Sequence, residues 1–221
     1  MTRKNVRPVG GKPLVAWTWE AGRAAPSVRR LLVSTDDPEV ADLARAAGID
    51  VPFRRPAALA ADDTPAVEVA LHALRWLEER EGYRPELLVW LQPTSPLRTA
   101  DDIEKAVALL LAKRADSVVS VCPAGTHPYW MRKLDEEGRL LPLAGYADEG
   151  PRRRQDLPPV YRLNGAVYLV RREAFLRERS FFAGDVYGCV MPEERSVDVD
   201  TPWDLACADL RLKEGDVRAH N

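Results

Sequence analysis

Residues 87–113 read LLVWLQPTSPLRTADDIEKAVALLLAK, and this stretch contains a complete strand, loop and helix. The run from Leu87 to Leu91 is entirely apolar, which predicts a buried strand over 87–91. Apolar residues then recur at helical spacing over 99–113, and Thr99 is placed to cap that helix. A buried strand that leads through a short loop into a helix is the repeating unit of a parallel sheet covered by helices.

The same alternation of apolar runs and helical patterns continues on both sides of this unit. We expect one α/β domain over residues 1–221, a three-layer αβα arrangement with a mostly parallel sheet. Further strands are predicted at 30–34, 117–122, 165–170 and 188–191, and further helices at 13–24, 38–47 and 64–80 and from Thr201 onward. Thr201 can cap that last helix, and Asp204 completes a weak form of the capping box.

Two segments fall outside this alternation. Glu136-Glu137-Gly138 predicts a turn between two extended pieces, 127–134 and 139–143, so we expect a protruding hairpin arm. Residues 1–12 contain no predicted strand, although a doubly wound sheet normally begins with a strand that feeds a phosphate-binding turn. We therefore expect the first residues of this sequence to correspond to the end of that turn.

Composition excludes several classes of protein. The 32 Lys and Arg residues nearly balance the 34 Asp and Glu residues, so no basic field draws the molecule to nucleic acid or anionic lipid. The longest apolar run, 107–112, is far shorter than the roughly 20 residues of a membrane span, and residues 1–10 lack the apolar core of a signal peptide. We therefore expect a cytoplasmic protein. Cys122, Cys189 and Cys207 stand far apart, which favours buried apolar side chains over a disulfide or zinc site.

The segment Ser196-Val197-Asp198-Val199-Asp200 alternates polar and apolar residues. On a strand, Asp198 and Asp200 would point to the same face and form a pair of oxygen ligands for Mg²⁺. An Asp-x-Asp pattern alone is found more often at an exposed strand edge than at a metal site. Its position favours a site here, because Asp200 directly precedes the last predicted helix, at the edge where open α/β sheets bind ligands.

The loop 91–98 follows directly on the predicted strand, and two prolines restrict its backbone. Gln92, Thr94, Ser95 and Arg98 offer hydrogen bonds, as a substrate-recognition loop requires. A plain connection between strand and helix fits the loop chemistry equally well.

Arginines also cluster near an Asn-Gly turn. Arg152-Arg153-Arg154 and Arg162 lie close in sequence to Asn164-Gly165, and guanidinium groups bind carboxylate and phosphate in a bidentate manner. For Arg152 and Arg153 we prefer a solvated surface.

Together these segments resemble the acylneuraminate cytidylyltransferase family, which includes the CMP-sialic acid synthetases. The similarity runs from Arg3 to about Leu210, and its most specific signals are LQPTSPLR at 91–98 and NGAVY at 164–168. The other matching stretches are RKN at 3–5, GKPL at 11–14, VSTDD at 33–37, RQDLP at 154–158 and SVDVDT at 196–201.

The resemblance implies a Rossmann-like nucleotide-diphospho-sugar transferase fold with a hairpin arm used in dimerisation. In that family the anomeric hydroxyl of an acidic nonulosonic sugar attacks the α-phosphate of CTP, and pyrophosphate leaves. The resemblance implies catalytic Mg²⁺ ligands at Asp198 and Asp200. Asp200 or a metal-bound water could accept the proton of the attacking hydroxyl. It implies sugar contacts from Gln92, Arg154, Arg162 and Asn164, and nucleotide contacts from Lys4, Asn5, Ala60, Ala61 and Asp62. It also implies a homodimer in which the arm and Phe181-Phe182 help to close the neighbour's sugar pocket.

Two departures from the family pattern are visible. Family members carry, upstream of the Lys-Asn pair, a first strand and a loop of the type Ala-Arg-x-Gly-Ser-Lys that cradles the triphosphate, and this chain begins after it. We expect a missing segment rather than a loss of catalysis, because every later motif is intact. His127-Pro128-Tyr129-Trp130 also places an aromatic residue where some sialic acid enzymes have a lysine, so the identity of the sugar stays open.

Three alternatives stay open at this point. The same reaction could use another acceptor, such as legionaminic or pseudaminic acid, a deoxy-octulosonate or a phosphonate. A metal-dependent glycosyltransferase also uses Asp-x-Asp, although there the motif typically lies in the middle of the chain. A non-catalytic homologue that binds a nucleotide or a sugar is the third.

Overall fold

The computed structural model describes residue 1 and residues 3–61, 63–143 and 153–219. The α-helices are α1 (Leu14–Ala24), α2 (Pro38–Ala46), α3 (Ala66–Glu81), α4 (Ala100–Lys113), α5 (Arg172–Glu178) and α6 (Pro202–Ala219). The strands are β1 (Pro8–Val9), β2 (Lys12–Pro13), β3 (Leu87–Trp90), β4 (Ser117–Pro123), β5 (Arg132–Leu134), β6 (Leu140–Pro142), β7 (Tyr161–Arg171) and β8 (Val186–Val190). Short 3-10 helices occupy Lys4–Val6, Ala57–Leu59, Pro128–Trp130, Arg154–Asp156 and Glu193–Arg195.

The central sheet has the strand order β3-β7-β4-β8. Strand β7 is antiparallel to β3 and to β4, whereas β4 and β8 are parallel, so three of the four strands run in one direction. This confirms the mostly parallel sheet and adds a reversed strand that the sequence pattern does not reveal. Between β4 and β7 the described residues, 124–143 and 153–160, contain the hairpin arm and no α-helix, so no helix within these ranges forces a parallel direction.

Helices cover both faces of this sheet, as predicted. On one face, Ile103 and Leu110 of α4 pack with Val118 and Leu169 of β4 and β7. On the other face, α3 and α5 pack against Val170, the next residue of β7. Successive residues of a strand point to opposite faces, so Leu169 and Val170 belong to different layers of the core.

The predicted strand at 30–34 is wrong as a sheet strand. In the described part of the chain it makes one isolated parallel bridge, Leu32 with Asp50, where Val33 N–H donates to Asp50 O at 2.9 Å. A regular ladder needs repeated pairing, and this segment pairs at a single point. Leu31 and Leu91 instead pack against Gly22 of α1, where a Cβ would lie 3.1 and 3.3 Å from their side chains.

The prediction that residues 1–12 contain no strand is also wrong, because a short hairpin, β1-β2, lies there. Strands β1 and β2 pair through Gly10 and Gly11, which have φ values of 54° and 81°. Two consecutive residues with positive φ are what a two-residue hairpin of type I′ demands. Gly10 N–H also donates to Asp209 of α6 at 2.8 Å, so the hairpin ties the start of the chain to its last helix.

The other predictions concern the arm, the last helix, the cysteines and membrane-spanning segments. The arm is confirmed as the hairpin β5-β6, with Gly138 in its turn at a φ of 83°. Helix α6 begins at Pro202, and Asp204 accepts from the backbone N–H and the hydroxyl of Thr201, at 2.8 Å each. Cys122 and Cys189 are buried, as expected, whereas Cys207 is only partly buried. Among the described residues, no helix is both long enough and apolar enough to cross a membrane.

Candidate active site

A cavity of about 420 Å³ opens at the carboxyl end of β3. Its walls are formed by Asn5, Trp90, Gln92, Pro93, Thr94, Asp198 and Asp200. Trp90 is the last residue of β3, and the next wall residues belong to the loop that follows it. Ligands of open α/β sheets bind at this edge because the loops there are free to present polar groups.

The carboxylate segment reaches this cavity without forming the predicted strand. Residues 196–200 have no regular secondary structure, and this corrects the expectation of strand alternation. One backbone hydrogen bond, from Val199 N–H to Thr94 O at 2.8 Å, attaches the segment to the loop after β3. Asp198 and Asp200 on either side of Val199 still line the same cavity, so the predicted convergence of the two carboxylates is observed.

Lys4 places a positive charge against this carboxylate pair. Its Nζ donates to Asp200 Oδ1 at 2.8 Å, and its side chain is only 24% exposed. Lys4 and Asn5 both lie in the first 3-10 helix, which the hairpin β1-β2 follows directly. The structure therefore brings Lys4 and Asn5, predicted from the resemblance alone, together with Gln92 and the two aspartates.

Gly165 makes room at the centre of the site. Its φ is +72°, and a Cβ at this position would lie 2.5 Å from Gln92 Oε1 and 3.6 Å from Asp198 Oδ2. Gln92 can lie this close to the backbone of residue 165 only because this residue has no side chain. A glycine inside a predicted strand signals such close approach, and that signal identifies Gly165 as a functional residue that the motif comparison left unassigned.

Asn164 faces the interior of the protein. It is 1% exposed; its Oδ1 accepts from Ser120 Oγ at 2.6 Å, and its Nδ2 donates to Ser196 Oγ at 2.9 Å. Arg162 donates from Nη2 to Ser196 O at 3.0 Å. Both residues thus hold the start of the carboxylate segment. Their predicted contacts with the sugar stay predictions, and for Asn164 the geometry indicates a supporting role instead.

Of the other predicted binding residues, Ala60 and Ala61 are the two whose position relative to the cavity is described. Ala60 and Ala61 follow the 3-10 helix Ala57–Leu59 and do not line it. Arg154 begins the 3-10 helix Arg154–Asp156, and Asp62 lies outside the described residues.

Two residues of the loop after β3 turn inward and not toward a substrate. Ser95 is 1% exposed and donates to Asn164 O at 3.2 Å. Arg98 is 3% exposed and bonds only to protein oxygens among the described residues. The expectation that these two side chains offer hydrogen bonds to a ligand is therefore wrong, because a rigid loop uses them for its own support.

An aromatic wall stands beside Asp198. Trp90 and Tyr168 are paired across β3 and β7, and their rings lie 5.6 and 5.8 Å from that of Phe181. Burial raises the pKa of the Tyr168 hydroxyl, and the negative charge of Asp198 adds to the effect, so this group stays protonated and can donate a hydrogen bond. Phe181 is buried and Phe182 is 47% exposed. The sequence offered no signal for this wall beyond the Phe-Phe pair.

The donor set can be compared with what a metal ion would need. No group of three or more His, Cys, Asp or Glu side chains forms a metal cluster within the described part of the chain. Two carboxylates are nevertheless the usual protein share of a Mg²⁺ site, since this ion keeps several waters and shares substrate phosphates. The residues present fit Mg²⁺ and do not fit a structural zinc site, which needs four protein ligands.

Comparison with known proteins gives consistent findings. A family model described as Cytidylyltransferase matches residues 1–182. The CMP-N,N'-diacetyllegionaminic acid synthase of Legionella pneumophila is 32% identical over 217 residues, covering 95% of this chain and 89% of that protein. The N-acylneuraminate cytidylyltransferase of Streptococcus agalactiae is 34% identical over 204 residues, covering 91% of this chain and 48% of that protein. This chain thus spans about half the length of the streptococcal relative.

Solved structures agree on the fold. CMP:2-keto-3-deoxy-manno-octonic acid synthetase, complexed with CTP, superposes with a TM-score of 0.69 at 14% sequence identity, covering 98% of this chain and 93% of that one. The 4-diphosphocytidyl-2C-methyl-D-erythritol synthase of Anaerococcus prevotii gives a TM-score of 0.61 at 13% identity, covering 94% and 91%. At this level of identity the likeness establishes a shared architecture, the Rossmann-like one that the motifs indicated.

Proposed function

Since this chain belongs to the cytidylyltransferase family, we propose that it transfers CMP from CTP to the anomeric hydroxyl of an acidic nonulosonic sugar and releases pyrophosphate. The observation that carries this proposal is the convergence of Asn5, Gln92, Asp198 and Asp200 on one cavity, with Lys4 bound to Asp200. Two carboxylates, a lysine and two amides are the groups required to hold a charged nucleotide beside a polar acceptor.

We propose Mg²⁺ as the cofactor, held by Asp198 and Asp200. When bound, this ion would neutralise charge on the phosphates and polarise the α-phosphate toward attack. Lys4 supports the assignment, because its ammonium group already occupies one Asp200 oxygen as a cation would. Lys4 is also the cationic side chain nearest to where phosphates would lie, so it can stabilise them alongside the metal.

The two substrates are assigned to opposite ends of the cavity. Lys4 contacts Asp200, whereas Gly165 lies beside both Gln92 and Asp198. Phosphates need the cationic end, so the nucleotide is placed beside Lys4 and Asn5 and the sugar beside Gln92. This arrangement holds the acceptor hydroxyl next to the α-phosphate, and such positioning supplies most of the rate enhancement in phosphoryl transfer.

The acceptor is an acidic sugar in this proposal, and its exact identity is a matter for experiment. The names of the two relatives above differ, one specifying N,N'-diacetyllegionaminic acid and the other N-acylneuraminate. Arg154 is assigned to the acid's carboxylate through the motif resemblance. Arg162 and Asn164 support the site from behind by holding Ser196.

A homodimer is part of the proposal. The arm exposes Leu134 and Leu140 at 68% and 70%, and Tyr161 and Leu163 at the start of β7 are each 51% exposed. Large apolar side chains gathered on a thin hairpin gain stability when a second chain covers them. We also keep the expected cytoplasmic location, where CTP is available.

The test is acceptor-dependent release of pyrophosphate from CTP. The chain would be incubated with CTP, Mg²⁺ and, one at a time, N-acetylneuraminate, N,N'-diacetyllegionaminate and a deoxy-octulosonate. Release that depends on one acid supports the transferase and identifies its substrate. Binding of CTP without release for any acid would favour a non-catalytic homologue, and release without an acceptor would indicate a nucleotide hydrolase.

A further inference from the structure

Arg98 is a buried cation whose hydrogen-bond partners in the described part of the chain are neutral oxygens. Its Nε donates to Ala166 O at 2.6 Å, its Nη1 to Thr18 Oγ1 at 3.2 Å and its Nη2 to Gln92 O at 2.5 Å. These oxygens belong to β7, to α1 and to the loop after β3. One guanidinium group therefore joins three separate segments around the cavity.

The charge of Arg98 is balanced at a distance by Asp102. Burial lowers the pKa of Arg98 to about 9, and the negative charge of Asp102 opposes this effect. Asp102 is 2% exposed and lies in the first turn of α4, where it accepts from the N–H and the hydroxyl of Thr99 at 2.9 Å each. A buried carboxylate with satisfied hydrogen bonds is a stable countercharge.

Asp102 also holds the segment that carries the predicted metal ligands, through Arg195. Arg195 donates from Nη1 and Nη2 to the two oxygens of Asp102, at 2.5 and 3.0 Å. Arg195 directly precedes Ser196, whose carbonyl and hydroxyl are held by Arg162 and Asn164. A paired, fork-like contact of this kind fixes orientation as well as distance.

The network thus has two branches that reach two different sets of cavity-lining residues. Arg98 holds the backbone of Gln92 and of the residue after Gly165, and Arg195 holds the approach to Asp198 and Asp200. Neither arginine lines the cavity itself. Residues that hold both sets of cavity residues without touching a ligand act by fixing the position of one set relative to the other.

We propose that Arg98, Asp102 and Arg195 form a buried charge network that sets the distance between Gln92 and the carboxylate pair, with Arg98 as the principal positioning residue. The proposal rests on the function proposed above and adds a determinant of acceptor placement to it. Lysine cannot replace Arg98, because a single ammonium group cannot reach three oxygens that lie in three directions.

The experiment compares Arg98→Lys, Thr18→Val and the wild type in steady-state kinetics. Arg98→Lys is expected to lower kcat/KM for the acceptor by about 10- to 100-fold, since small misplacements of catalytic groups have effects of this size. The KM for CTP should change less than about twofold, because the hydrogen bonds of Arg98 go to Ala166, Thr18 and Gln92 and not to Lys4 or Asn5. Thr18→Val, which removes one of the three accepting oxygens with little change of shape, should give a smaller loss of the same kind.

A double-mutant cycle separates positioning from stability. If Arg98 acts through Gln92, then Arg98→Lys should have little further effect on acceptor kinetics in a Gln92→Ala background. Arg172→Lys is the control for an arginine-to-lysine change outside the network, because Arg172 is partly buried and pairs with Glu78 on α3. It should leave both substrates' kinetics unchanged.

Two outcomes would overturn the proposal. Loss of thermal stability with unchanged acceptor kcat/KM in both variants would overturn the proposal, as would fully additive effects of Arg98→Lys and Gln92→Ala. If Arg98→Lys does not fold, Thr18→Val decides by the same criterion. A wild-type chain that turns over no acceptor would refute the proposed function itself, and a selective loss in the variants can be seen only when the wild type is active, so the two failures are distinct.

Discussion

Asp198 and Asp200 are the residues on which the proposed chemistry depends most. Their spacing in the sequence predicted that they converge, and both line the cavity although they do not lie on a strand. They converge without a strand because other hydrogen bonds hold the segment in place. Val199 N–H bonds to Thr94 O, and Arg162 and Asn164 bond to Ser196. Convergence was thus predictable from the residues, and its structural cause was not.

The double variant Asp198→Asn with Asp200→Asn should fold and lose at least about 100-fold in kcat, because metal assistance contributes several kcal/mol to the transition state. Circular dichroism and pyrophosphate release measure the two properties. Asp101→Asn is the matched control, since Asp101 is a surface partner of Lys105 and should be neutral. Undiminished turnover in the double variant would refute the metal assignment.

Gly165→Ala tests the close approach of Gln92 to the backbone of β7. The new methyl group would lie 2.5 Å from Gln92 Oε1, so Gln92 must move, and the acceptor kcat/KM should fall about tenfold or more while the KM for CTP is kept. Gly82→Ala is the control, because Gly82 has a similar φ of +65° with nothing within 4 Å of the added Cβ. It carries the backbone strain of about 1–2 kcal/mol without the clash. Equal activity in the two variants would contradict the account.

At the scale of elements, the helices were predictable because their periods and caps are written in neighbouring residues. Thr99 caps α4 with a complete capping box, as proposed for the helix after the loop. The strands were less predictable, because pairing depends on residues distant in sequence. The segment 30–34 has a strand-like composition and yet pairs at one point, whereas β7 extends to Tyr161 and reverses direction.

The cap of α6 gives a prediction about pH. Hydrogen bonds from Thr201 lower the pKa of the Asp204 carboxyl, so its folded value lies below its unfolded value of about 4. Asp204 therefore stabilises the fold above that range, and this contribution is lost as pH falls through the lowered pKa. Thermal unfolding of the wild type and Asp204→Asn should differ at pH 7, and the difference should shrink as the pH falls through the lowered pKa. A difference independent of pH would contradict the cap assignment.

Thr201→Ala removes the other half of the same cap. It should lower the free energy of unfolding by about 1 kcal/mol, the usual effect of losing an N-cap side chain. Chemical denaturation at pH 7 measures this loss directly. An unchanged midpoint would show that α6 does not depend on the cap.

At the scale of the whole molecule, the motifs predicted family and architecture together. LQPTSPLR and NGAVY are spread over the chain, and the structure brings both to the cavity region, where Gln92 contacts the turn at Gly165. The aromatic wall and the network around Arg98 could not be predicted, because Tyr168, Arg98 and Asp102 meet their partners only through the sheet and the start of α4.

The exposed arm makes a prediction about assembly. Leu134→Glu with Leu140→Glu should convert a dimer into a monomer at micromolar concentration, because charges are costly in an apolar interface. Sedimentation measures the mass. Leu111→Glu on α4 is the control, since Leu111 is 56% exposed away from the arm. A wild-type chain that is monomeric at every concentration, or a double variant that stays dimeric, would contradict the proposed interface.

The central claim, cytidylyl transfer to an acidic sugar, is tested most directly by phosphorus NMR of the chain with CTP, Mg²⁺ and the active acceptor. The account predicts that the three triphosphate signals are replaced by one phosphodiester signal from the CMP-sugar and one from free pyrophosphate. Formation of CDP and orthophosphate, or an unchanged triphosphate in the presence of folded protein and the full panel of acids, would contradict it.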